Sequence, residues 1–141
     1  QGEAWEERLK TSKSWKLVES ALEYICLHYS EELDNVRISE AINVSPNYLS
    51  KLFQEYVGAT LHAYLLNYRI DRAQEFIMSG KYNITETALK CGFSSIYVFS
   101  KVFKQKRGFS PSTYVEMIED GDSSVLEKAD YNPQKQIYFN Q

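Results

Sequence analysis

One unit is written twice in this chain. Ser50-Lys51 recurs fifty residues later as Ser100-Lys101, Phe53 as Phe103, Gly58 as Gly108 and Tyr64 as Tyr114, with Thr60 answered by Ser110. Upstream the interval is forty-nine, laying Val44-Ser45 on Phe93-Ser94, so the second copy carries one extra residue at its turn. Matches at this many chemically distinct positions do not arise from composition. They constrain the fold strongly, because two like bodies must each close a small core and a connector must join them.

Apolar residues recur about every 3.6 positions and strict alternation persists nowhere, which makes the body all-α. The three prolines and six glycines fall at segment ends. Helices are expected at about 15–29, with Leu17 or Val18, Leu22, Ile25, Cys26 and Tyr29 on one stripe, and at 36–43. Ser45-Pro46 is a strong start signal, a capping hydroxyl before proline at the first helical position. The helix it opens should bury Leu49, Leu52, Phe53 and Tyr56 and stop before Gly58. Thr60 caps a long helix to about Ser79, ended by Gly80. Shorter helices follow at 84–91, 95–106 and 111–117.

Each copy is thus a short helix, a tight turn and a second helix with an apolar inner face, the pattern of a helix-turn-helix. In that device the second helix enters the major groove of DNA and the first braces it. The outward stripe of the first copy is Asn47, Ser50, Lys51 and Gln54; Tyr97, Ser100, Lys101 and Lys104 occupy the same stripe of the second, whose helix opens at Ser95. These side chains can read base edges or grip phosphates. A merely wetted helix face would look the same, and the connector separates the two readings. Residues 61–79 would span ~28 Å as a helix, against the ~34 Å of one turn of B-DNA between two major-groove readers. Leu61, Tyr64, Leu65, Leu66, Tyr68, Ile70, Ala73, Phe76 and Ile77 cover more than half its circumference, as on a helix buried from two sides. Arg69 and Arg72 project into that apolar sector and are expected to pair internally with acids such as Glu40, Glu75 or Glu86, the alternative being a phosphate contact.

A net charge of −3 argues at first against nucleic acid. Its distribution removes the objection. The segment after Met117 holds two basic and five acidic residues, while 14–117 holds eleven of each. Within that body 14–80 nets −4 and 81–117 nets +4, with cations bunched at Lys101, Lys104, Lys106 and Arg107.

An enzyme is disfavoured. His28 and His62 stand alone, Cys26-x-His28 lacks the second pair a zinc site needs, and Cys91 has the character of a small buried residue. There is no Gly-rich phosphate loop, nucleophile elbow or convergent carboxylate pair, so neither cofactor nor metal is expected. Two distant cysteines make no disulfide framework, and no apolar run reaches the ~18 residues of a membrane span. The expectation is a cytoplasmic protein without membrane association, and the start at Gln1 points to a piece of something longer.

Ser45-Pro46-x-Tyr48-Leu49-Ser50-Lys51-Leu52-Phe53, Arg69-Ile70-x-x-Ala73, Ile84-x-x-x-Ala88-x-x-x-Gly92-Phe93, Phe99-Ser100-Lys101-Val102-Phe103-Lys104 and Gly108-Phe109-Ser110-Pro111-x-x-Tyr114 follow one another in a set order. Over about 14–117 this resembles the DNA-binding domain of AraC-type (AraC/XylS) bacterial transcription regulators. The resemblance implies an all-α, seven-helix domain of two helix-turn-helix subdomains joined by a long linker helix. Its parts would be a connector at 1–13, a first unit at 14–59, the linker at 60–80, a second unit at 81–117 and an acidic tail at 118–141. It implies sequence-specific binding of double-stranded DNA through recognition helices 46–57 and 95–106, in a chain that usually continues upstream into a sensor or receiver domain. By position, Asn47, Ser50 and Lys51 in the first unit and Ile96, Tyr97 and Lys101 in the second are the base-reading candidates. Several residues depart from the family pattern: Ser39 for a small alanine, Asn35 for an aliphatic, Asn43 where the second unit has Gly92, and Val115 for an arginine. Ile96 cannot hydrogen-bond a base and would touch a thymine methyl or leave its base unread. With the charge split, unequal units are expected, the second gripping the backbone more strongly, with roughly three to six phosphate contacts in all. A reading from another class is a degenerate helical module that acts through protein contacts, for instance with RNA polymerase. The acidic tail is further expected to lie over the basic second unit and weaken DNA binding.

Overall fold

The computed structural model describes residues 12–121. The expected N-terminal connector, apart from its last two residues, and most of the acidic tail lie outside the described residues. Among the described residues the chain is entirely helical, with α1 at Lys13–His28, α2 at Asn35–Ala41, α3 at Pro46–Val57, α4 at Leu61–Ser79, α5 at Ile84–Lys90, α6 at Ile96–Arg107 and α7 at Pro111–Glu119.

Local chemistry sets where these helices begin. A side-chain oxygen accepts from a first-turn N–H at each start: Ser12, Asp34, Ser45, Thr60, Asn83, Ser95 and Ser110. At α5 the cap is reciprocal, Asn83 accepting from Glu86 N while Glu86 Oε1 accepts from Asn83 N. Each such cap is worth ~1 kcal/mol. Gly58 (φ 81°) and Gly108 (φ 86°) end α3 and α6 in the left-handed region, where a side chain would be strained.

Contacts divide the described chain into two units, 12–29 with 33–65, and 30–32 with 66–121. The division falls inside α4, which gives Leu61, Tyr64 and Leu65 to the first core and Ile70, Ala73 and Ile77 to the second. In each unit a short helix turns into the next through one left-handed residue, Asn43 (φ 60°) or Gly92 (φ 89°). Beyond it, Val44 N donates to Ser39 O and Phe93 N to Ala88 O, both at 3.0 Å. Asn43 thus does the conformational work of Gly92, as its short polar side chain permits. The fully buried Ser39 hydroxyl donates to Val36 O at 2.9 Å, so the residue packs where the second unit has Ala88 without an orphaned polar group.

The helix caps shift the register of the repeat by one residue at the turn. The N-caps of α3 and α6 are Ser45 and Ser95, an interval of fifty, whereas the turn residues differ by forty-nine. Ser45 therefore corresponds to Ser95, and Ser94 is the added residue. The repeat also reaches further upstream than the sequence comparison detected. Val18, Ala21 and Ile25 are the buried face of α1, and Ile70, Ala73 and Ile77 repeat that spacing on α4. The closing contacts match as well, with ring centroids 5.6 Å apart for Phe53–Tyr64 and 5.7 Å for Phe103–Tyr114. Two side chains assigned to the core lie elsewhere: Cys26 is exposed, and Tyr56 is half-buried against Trp15, Val57 taking the core position.

Candidate nucleic-acid interface

α3 is amphipathic in the sense a groove-reading helix requires. Leu49, Leu52, Phe53 and Val57 are buried, while Asn47, Lys51 and Gln54 are exposed on the opposite face. Ser50 is half-buried, and its hydroxyl oxygen accepts from Asn35 Nδ2 at 2.9 Å, which leaves the hydroxyl proton free to be aimed outward. Asn35 stands fifteen residues from Ser50, so nothing local in the sequence signals the contact.

α6 has the same architecture with different chemistry. Phe99 and Phe103 are fully buried, and the Phe93 and Phe99 ring centroids lie 5.2 Å apart with the planes tilted by 56°, so the helix is held by packed rings from behind. Tyr97, Lys101 and Lys104 are exposed and Ser100 is half-buried. Ile96 and Val98 flank Tyr97 and are also exposed. Ser95 Oγ accepts from Tyr97 N at 3.2 Å and Val98 N at 3.5 Å, so this candidate DNA contact at the opening of α6 acts as the helix cap.

The arginines meet the expectation in part. Arg72 pairs with Glu75 at 2.7 Å, but at a partly exposed site, with its guanidinium 5.4 Å from the Tyr68 ring centroid. Arg69 donates to the Glu31 carbonyl at 2.7 Å and lies 6.0 Å from the Phe93 centroid, where burial lowers its pKa and nearby Cys91 opposes that shift. Glu86 is occupied by the α5 capping box. The buried pair is instead Arg107 with Asp71, 2.5 Å apart with side chains 8% and 1% exposed, and Arg107 Nε donates to Gln74 at 2.6 Å. One cation of the apparent basic run is therefore internal. Lys101, Lys104 and Lys106 stay exposed.

The remaining chemistry-bearing groups are structural in placement. Burial pushes the Cys91 thiol up to about 12, against the opposing influence of Arg72 and Arg69. His28 stacks on Tyr24 with centroids 4.3 Å apart. A groove of 340 Å³ in the first unit is lined by Leu33, Val36, Ile38, Leu61 and Leu65 with Asp34, Asn35 and His62; Asp34 caps α2 and Asn35 supports Ser50. Among the described residues no group of three or more His, Cys, Asp or Glu could hold a metal ion, and no helix is long and apolar enough to cross a membrane.

Two bodies, each with a braced, solvent-facing second helix behind a left-handed turn, define a helix-turn-helix protein. A family model described as a helix-turn-helix domain matches residues 38–117. The chain belongs to the AraC-type helix-turn-helix family of DNA-binding transcription regulators. It is 32% identical over 103 residues to the regulatory protein PocR of Salmonella typhimurium, covering 73% of this chain and 34% of that one. It is 30% identical over 106 residues to the xylose operon regulatory protein of Escherichia coli, covering 75% and 26%. Among solved structures, the C-terminal domain of AraT, a response regulator from Geobacillus stearothermophilus, matches at 32% identity with a TM-score of 0.71, covering 75% of this chain and 88% of that one. The DNA-binding domain of AdpA, solved with a target DNA, shares the fold at 21% identity, with a TM-score of 0.71, covering 74% of this chain and 95% of that one. The chain spans about a third of the length of the first curated relatives it matches.

Proposed function

We propose that this chain is the DNA-reading part of a longer transcription regulator, and that α3 and α6 enter successive major-groove segments of one operator. The observation that carries the proposal is the duplicated stripe: Asn47, Ser50, Lys51 and Gln54 on α3 and Tyr97, Ser100, Lys101 and Lys104 on α6 face solvent from helices whose other faces are locked in aromatic cores. A nineteen-residue α4 has the length to connect two such readers. α3 would read by hydrogen bonds from Asn47 and Ser50, with Lys51 supplying charge, while α6 would add most of the phosphate grip through Lys101 and Lys104. The coverage of only part of each relative supports an upstream domain that supplies the signal.

The test is selection of duplexes from a randomised pool, followed by fluorescence anisotropy with the recovered sequence and a scrambled control. Lys51→Ala and Lys101→Ala should each weaken binding about tenfold. Affinity for the selected duplex equal to that for the scramble, or unchanged in both variants, would overturn the proposal.

A further inference from the structure

The two outward helices are not chemically equivalent at the end that meets bases first. In α3 the opening residues are Pro46, Asn47 and Tyr48; at the matching positions α6 has Ile96, Tyr97 and Val98. These are 37%, 84% and 50% exposed, three consecutive apolar or aromatic side chains in water. At 100° per residue Tyr97 sits near the middle of the outward face, with Lys101 and Lys104 behind it at i+4 and i+7 and Val98 at one rim; Ile96 lies at the other edge, in line with Phe99 at i+3 and Phe103 at i+7, yet remains 37% exposed. Packing does not require Tyr97 or Val98 there, because Phe99 and Phe103 already fill the inner face. The turn that carries them is held by the double acceptance at Ser95.

We infer that α6 reads its half of the operator through thymine methyl groups, whereas α3 reads by hydrogen bonding. This deepens the DNA-binding reading above and rests on it. The partner of an apolar cluster is usually another apolar surface, but this cluster shares one face with Lys101 and Lys104, and Ile96–Arg107 contains no acidic residue. The surface that matches is polyanionic yet dotted with methyl groups. The major groove supplies that combination wherever it exposes thymine C5 methyls between phosphates. Ile96 and Val98 have no donor or acceptor to offer a base edge, and Tyr97 presents a ring as well as its hydroxyl. The second half-site is therefore recognised by the position of its thymines, and discrimination there comes from shape and desolvation.

Replacing thymine by deoxyuridine deletes the methyl and leaves Watson–Crick pairing and the groove's hydrogen-bonding pattern intact. The selected duplex is made with uracil substituted throughout one half-site, then throughout the other, and titrated against the full chain. Uracil in one half-site should cost about three- to fivefold for each contacted methyl, the equivalent of removing one buried CH₂ group, with little effect in the other half-site. Tyr97→Ala and Ile96→Ala should bind the thymine duplex more weakly and lose sensitivity to uracil in the responsive half. Asn47→Ala should weaken binding yet keep that sensitivity. Tyr97 and Ile96 lie on the surface, and an unchanged helical CD signal confirms folding of the variants. Binding of the selected duplex with no response to uracil in either half overturns the inference and leaves the DNA-binding reading standing. Failure to prefer the selected duplex over a scramble overturns both.

Discussion

The Arg107–Asp71 pair gives the sharpest quantitative test of how the second unit is held. Asp71→Ala leaves Arg107, whose side chain is 8% exposed, without this carboxylate, with Gln74 Oε1 still accepting from Nε. Removing one member of a buried pair costs ~3–5 kcal/mol, mainly because the remaining charge is stranded in a poorly polarisable site. Replacing both members by apolar residues of similar volume should be close to neutral or stabilising. The first unit shows that this solution packs, since fully buried Val57 stands where the second unit has Arg107. The readout is the thiol of Cys91, which is buried in the second core while Cys26 is exposed. In a Cys26→Ser background, labelling of Cys91 by a disulfide reagent requires opening of that core, so its rate tracks the opening equilibrium when reclosing is fast. Asp71→Ala should accelerate labelling by roughly 10²- to 5 × 10³-fold, and Asp71→Leu combined with Arg107→Met should return it to within about tenfold of the parent. Lys101→Ala, at the surface, should leave it unchanged. Acceleration below fivefold in the single variant, or equal acceleration in the single and double variants, would refute the reasoning.

Alkaline stability should fall through the second unit. Cys91, raised by burial to about 12, and Tyr114, raised by burial against the opposing effects of Arg107 and Gln74, both stay neutral when folded at pH values where the unfolded chain ionises. The Cys91 contribution is complete below about pH 9 and is lost as pH rises towards about 12, and Tyr114 adds a loss of the same sign, so the urea midpoint should decline from pH 9 upward and less steeply in Cys91→Ala; a midpoint flat to pH 10.5 would contradict this. With Arg107 internal, the outward faces offer Lys51, Lys101 and Lys104, which predicts a slope of about −3 in log affinity against log salt, at ~0.9 per phosphate contact. Each Lys→Ala change should reduce that slope by about one, and an unaltered slope would remove the residue from the contact set. Asn35→Ile removes the donor to Ser50, so it should leave the free energy of urea unfolding within about 1 kcal/mol of the parent while lowering discrimination among bases at one operator position. Unchanged base preference in a competition assay would show that Asn35 does not position Ser50.

Most helix boundaries were readable because their causes are local. Ser45-Pro46 and Ser110-Pro111 start helices with contacts that span three residues, and Gly58 and Gly108 stop them through their own left-handed backbone. Asn43 was recognisable as a substitute for Gly92 for the same reason. The upstream half of the repeat escaped notice because Val18-Ala21-Ile25 and Ile70-Ala73-Ile77 share only small apolar side chains, and connectors of different length precede α2 and α5. In the candidate interface, the outward positions of Asn47, Lys51, Gln54, Tyr97, Lys101 and Lys104 followed from periodicity alone. The internal use of Arg107, Arg69 and Asn35 did not.

By itself, then, the sequence determined two helix-turn-helix bodies, the faces their second helices turn to water, and a concentration of positive charge beside the second of them. These are properties of one turn of chain or one helix face, and propensity, capping and apolar period specify them at short range. Only the tertiary structure decided which cations remain available to a ligand. Arg107 meets Asp71 and Gln74 across separations of 36 and 33 residues, and Arg69 reaches Glu31 across 38. A charged side chain takes the partner that packing brings to it, because leaving it buried and unpaired costs several kcal/mol. The same packing brings Asn35 Nδ2 to Ser50 Oγ, so a hydroxyl on α3 is held by a side chain at the start of α2.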